Sequence, residues 1–197
     1  VTVGSGNSGA GGELVLSGGD SDMHSGGRVV LKTGYGSSTT SGSLYVATAN
    51  SGADGVSGYV VMSTGTSSKG NSGAFLIGSG SSTSGRGGTM SVTVGSGNSG
   101  TGGDVVFTAG GTSDDGIATA TGGQIYMSGG TSASQTGGRV LIRSGVSTSQ
   151  TSGALGVLTA DSGSAGVSGY MVLSTGVSLK GNSGGLYVGS GTSTSGR

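Results

Sequence analysis

A glycine doublet recurs along this chain at a nearly constant interval, and that interval constrains the fold more than any other feature. Gly-Gly or Ser-Gly pairs end at Gly12, Gly27, Gly42, Gly58, Gly73, Gly88, Gly103, Gly123, Gly138, Gly153, Gly169 and Gly184. Nearly every step equals that from Gly12 to Gly27. The steps Gly42 to Gly58 and Gly153 to Gly169 are longer by one, and Gly103 to Gly123 is longer by five. A fixed period of this size marks a repeat architecture, in which a unit buries its apolar face only by stacking on its neighbours.

Positions are counted here from the second glycine of each pair, the doublet glycine. The second position reads Leu14, Val29, Leu44, Val60, Phe75, Met90, Val105, Ile125, Val140, Leu155, Met171, Leu186. The fourth reads Leu16, Leu31, Val46, Met62, Ile77, Val92, Phe107, Met127, Ile142, Val157, Leu173, Val188. Apolar residues two apart predict a short strand with one inward face. The sixth position is mostly small. The seventh is always Gly or Ala, which predicts a corner where a large side chain would clash. The ninth is mostly Ser, as at Ser21, Ser67, Ser132 and Ser147. That predicts a second, thinner segment whose hydroxyls hydrogen-bond from coil to coil.

The expected fold is therefore all-β: a single-chain β-solenoid, or β-helix, of about 12–13 coils, most of them one 15-residue repeat long. At a strand spacing of about 4.8 Å the stack would run roughly 60 Å. The third position, between the two inward columns, is expected to face outward. Its apolar or aromatic members are Val15, Val30, Tyr45, Val61, Leu76, Val106, Tyr126, Leu141, Val172 and Tyr187. A solvated face would be polar, so this ladder is the candidate assembly face.

A longer repeat overlies the coils. Residues 12–86 match residues 123–197 at an offset of 111, with 43 of 75 positions identical. Residues 1–197 are read as one continuous array, and 103–123 as a longer coil with a loop insertion around Asp114 to Ile117. A bridge like Gly87–Ser91 would join Arg197 to Val1 in register, so the chain is expected to be a window on a longer periodic polypeptide.

Composition enters as a filter. Fifty of 197 residues are Gly, which alone suggests a flexible linker. The lack of Pro, the 8% of charged residues and the regular apolar columns oppose that. A net charge of zero lacks the footprint of a nucleic-acid binder. The apolar runs are too short for a membrane span. Without Cys, no disulfide framework is available.

Few residues suggest chemistry. His24, the only histidine, has Asp22 nearby, but a polar turn residue is the better reading, and one His without Cys argues against zinc. Asp20, Asp22, Asp114 and Asp115 offer oxygen ligands suited to calcium. Thr131 and Ala133 replace the first pair one long repeat later, which favours a plain Asx turn. Gly95-Ser96-Gly97 and Gly100 imitate a phosphate-binding fingerprint but lack the helix it needs. No catalytic residue and no cofactor are expected. Tyr59 and Tyr170, Arg28 and Arg139, and Lys69 and Lys180 occupy matching places. The tyrosines are the candidate partner contacts. Thr-x-Thr triplets, the basis of an ice-binding alternative, fall at different places in their coils and cannot line up.

The pattern resembles Gly/Ser-rich β-solenoid repeats of extracellular surface proteins: adhesin stalks, microbial and algal surface fibres, and viral or phage fibres. The resemblance covers the whole chain at the level of architecture. It implies a structural, non-enzymatic protein outside the cell that forms or stiffens a filament, stalk or cell-surface fibre. Its partner would be itself, by lateral and end-to-end association. The alternative is adhesion, a shaft gripping glycan or a cell-wall surface.

Overall fold

The structure is a computed structural model and describes residues 1–7, 9–113 and 121–194. The chain divides into two units, Val1–Thr93 and Val94–Arg197. Among the described residues there is no α-helix and no β-strand. The β-solenoid, or β-helix, expected from the period is therefore overturned, and with it the stack of coils.

The reason lies in which residues meet. Coil stacking would bring like positions of successive repeats together. Instead, the sixth position of each repeat lies against the next doublet glycine, as Ser79 does against Gly88. A methyl group placed on Gly88 would meet Ser79 Cβ at 3.0 Å, on Gly103 Val94 Cγ1 at 2.7 Å, and on Gly123 Ala109 Cβ at 3.4 Å. In the first unit the apposed pairs are Val3 with Gly12, Gly18 with Gly27, Thr33 with Gly42, Thr48 with Gly58, Thr64 with Gly73, and Ser79 with Gly88. In the second they are Val94 with Gly103, Ala109 with Gly123, Gly129 with Gly138, Ser144 with Gly153, Thr159 with Gly169, and Thr175 with Gly184.

Backbone hydrogen bonds close many of these loops. The Gly27 N–H donates to the Gly19 carbonyl at 2.7 Å, Gly138 to Gly130 at 2.8 Å, Gly123 to Gly110 at 2.9 Å, and Gly42 to Gly34 and Gly153 to Gly145 at 3.0 Å. Gly12 donates to Gly4 at 3.3 Å. Two further loops close through a side chain. Thr48 Oγ1 donates to the Gly58 carbonyl at 3.3 Å and Ser79 Oγ to the Gly88 carbonyl at 2.8 Å. Each repeat is thus one irregular leg followed by one pinched loop, rather than two strands and two corners.

The bend falls inside the loop, at positions ten to twelve: residues 22–24, 37–39, 68–70, 83–85, 98–100, 133–135, 148–150 and 179–181. This corrects the corner expected at position seven. A methyl group on Gly19, Gly34, Gly65 or Gly130 would meet nothing within 4 Å. At Gly27, Gly88, Gly103 and Gly138 a methyl group on the doublet glycine would come within 3.0 Å of a neighbour, whereas at Gly73, Gly153, Gly169 and Gly184 it would find ordinary contact at 3.5–3.7 Å. Gly70 and Gly181, matched across the long repeat, hold φ of 110° and 108°, a left-handed turn suited to glycine.

The ninth-position serines act locally. Ser21 Oγ accepts the His24 N–H at 3.0 Å, Ser132 Oγ the Gln135 N–H at 3.0 Å, and Ser147 Oγ the Gln150 N–H at 2.9 Å. These are turn-forming bonds within one loop, not the coil-to-coil hydroxyl ladder expected.

No hydrophobic residue is buried among those described. The columns expected to point inward are open to solvent. The accessible surface is 19792 Å² for an 18.2 kDa chain. A folded monomer of that mass exposes about 8,000 Å² and an unfolded chain about 26,000 Å². Glycine explains much of this. Ordering Gly costs more backbone entropy than any other residue, and a short apolar leg with no second layer does not offset it.

Candidate functional site

The described residues that are half-buried rather than exposed are Gly18, Thr33, Ala109, Gly129 and Ser144 at the sixth position, and Gly36 and Ser147 at the ninth. Cover therefore collects at the loop necks. The legs between them carry the apolar residues, and those remain uncovered.

Sidedness along a leg is only partial: the fourth-position side chains, on the same side as the second, are 58–91% exposed. Second-position side chains are 48–62% exposed, whereas the apolar and aromatic third-position side chains are 63–94% exposed. The two ranges do not overlap. The candidate assembly face, Val15 through Tyr187, is thus the most exposed apolar column, but no sheet carries it.

Two legs are brought together around the longest loop. Val106, Phe107, Thr108 and Ala109 on one side and Gln124, Ile125, Tyr126 and Met127 on the other line a cleft of about 720 Å³. The neck closes at Ala109 and Gly123, where the Gly123 N–H donates to the Gly110 carbonyl at 2.9 Å. Val106 and Tyr126, both third-position residues, share this cleft. The period did not reveal it, although the lengthened repeat from Gly103 to Gly123 marks the place.

Tyr59 and Tyr170 are 88% and 89% exposed, each directly after a doublet glycine. Arg28, Arg139, Lys69 and Lys180 are likewise exposed. Lys69 and Lys180 each precede a left-handed glycine, Gly70 and Gly181. His24 Nδ1 donates to the Met23 carbonyl at 2.5 Å, so its ring is turned to its own backbone. Asp20 and Asp22 lie exposed in the loop that Gly19 and Gly27 close. Among the described residues, no three His, Cys, Asp or Glu side chains cluster as metal ligands. Asp114 and Asp115 lie outside the described residues. After Gly100 no helix follows among the described residues, so the nearby glycines supply no phosphate-binding helix terminus. Among the described residues no helix is long and apolar enough to cross a membrane.

The sequence reading missed the pairing of the sixth position with the doublet glycine. A signal for it was present. The three lengthened repeats all take their extra residues between these two positions. No family model, no curated protein and no solved structure matches the chain.

Proposed function

We propose that the chain is a structural, self-associating protein of the extracellular or cell-surface kind, which builds or stiffens a filament or fibre through its apolar legs. The observation that carries this is the regular, uncovered apolar leg: twelve doublets, each followed by exposed second- and fourth-position residues that the chain itself does not bury. An apolar surface so extensive is covered by something in a working protein. The chain's own repeats carry the matching chemistry.

Sedimentation velocity across a dilution series, with electron microscopy of the concentrated sample, tests the reading. Filaments or concentration-dependent particles are expected, and Val61→Asp and Leu76→Asp are expected to diminish them. A chain that stays monomeric throughout would overturn the proposal.

A second reading, an adhesive shaft, draws on Tyr59 and Tyr170, exposed at equivalent places in the two long repeats. Aromatic rings presented this way suit stacking on sugar faces. Saturable glycan binding that Tyr59→Ala and Tyr170→Ala abolish would establish it.

A further inference from the structure

We propose that this chain acquires its sheet structure only by pairing with a second copy of itself, and that the cleft between residues 106–109 and 124–127 receives the first leg of that copy. The inference rests on the self-associating function proposed above and adds the partner, the place of docking and the coupling of association to folding.

Three observations carry it. The first is the surface that a single copy leaves uncovered. The 19792 Å² exposed exceeds the roughly 8,000 Å² of a folded monomer by several times the roughly 1,200–2,000 Å² that a stable interface buries. The second is the backbone. Among the described residues, the backbone–backbone hydrogen bonds join glycines of the loops and necks, and none involves a residue of an apolar leg. The N–H and C=O groups of the legs thus present unpaired edges, the feature through which a second strand is added. The third is self-complementarity. A copy offers a leg of the same apolar pattern in every repeat, and the whole series again in the second long repeat, so one docked leg places its neighbours in register. The net charge of zero opposes no such approach.

The cleft is the natural starting point because two legs are already held on either side of it. A leg inserted there gains apolar contacts from Val106, Phe107, Ile125, Tyr126 and Met127 without first ordering a loop. Association through the cleft therefore begins the sheet, and the remaining legs follow by proximity.

Far-ultraviolet circular dichroism and sedimentation velocity on the same samples, over a hundredfold range of concentration, test this. The β-sheet signal is expected to rise at the concentration where association sets in, after a lag that preformed material shortens. Phe107→Asp and Tyr126→Asp are expected to raise that concentration by about tenfold or more, because a charge would be desolvated in the cleft. Val30→Asp, on a leg away from the cleft, is expected to raise it less. A β-sheet signal in the monomer, or association without any gain of β-sheet, would overturn the inference and leave the proposed function standing. Equal effects of the cleft and control variants would overturn the cleft as the docking place. Failure to associate at any concentration would overturn both.

Discussion

At the scale of single residues, the doublet glycine and the seventh-position glycine do opposite jobs. Gly27 needs to be glycine, because a methyl group there would sit 2.7 Å from the Gly19 nitrogen, a backbone atom that cannot swing away. Gly34 has open space and no positive φ. Gly27→Ala is therefore expected to open its loop, at a cost of about 1–3 kcal/mol for the overpacked neck. Gly34→Ala is expected to hold its loop or to tighten it by about 0.4–1 kcal/mol, by restricting the open chain. Amide exchange at the Gly27 and Gly42 N–H groups checks both, since each donates the closing bond. Exchange should quicken at residue 27 in the first variant and hold or slow at residue 42 in the second. The same distinction explains the Ser-Gly doublets. A methyl group on Gly26 or Gly137, the first glycine of its pair, would find its nearest neighbour at 3.5 or 3.6 Å, so serine fits there.

At the scale of elements, the loop is the part that absorbs change in length. In the two repeats longer by one residue, the neck pairs Thr48 with Gly58, and Thr159 with Gly169. In the longest repeat it pairs Ala109 with Gly123, and the neck is retained. Lengthening a loop from about nine to about fourteen residues costs only about 0.4 kcal/mol in closure entropy, and one added residue about 0.1 kcal/mol. One residue inserted after Ser38 is thus expected to leave the Gly42-to-Gly34 bond in place, as judged by the Gly42 amide. One residue inserted between Val29 and Val30 shifts every later side chain of that leg to the other side. It is expected to impair association far more than the loop insertion does, as sedimentation would show. Much of this was legible beforehand: the period, the small sixth position and the recurrent serine. The partners were not. An alternation such as Leu14, Val15, Leu16 indicates two sides of a leg but not what covers either one. The period is equally satisfied by pairing each position with its like in the next repeat and by pairing the sixth position with the next doublet glycine. Composition weighed against the first, because a Gly-rich coil loses more entropy in ordering than its few apolar residues recover alone.

At the scale of the whole molecule, the balance of forces predicts how solution conditions act. Eight basic and eight acidic residues cancel, and the candidate contact surfaces are aliphatic and aromatic. Association of such a chain is driven by removal of apolar surface from water, and long-range charge contributes little. Simple salt screens charges within about 10 Å at about 0.1 M, and here there is little net charge to screen. Raising sodium chloride from about 0.02 to about 0.15 M is therefore expected to move the onset of association by less than about twofold. Sulfate is excluded from apolar surface and strengthens its burial, so ammonium sulfate is expected to lower the onset concentration steeply. Cooling weakens apolar association near and below room temperature, so assemblies formed at about 25 °C are expected to loosen towards about 4 °C. Light scattering across the two salts and the two temperatures reads all three effects in one series. Strong dependence on sodium chloride, with indifference to sulfate and to cooling, would mean that Arg28, Lys69 and their counterparts, rather than the apolar legs, hold the copies together.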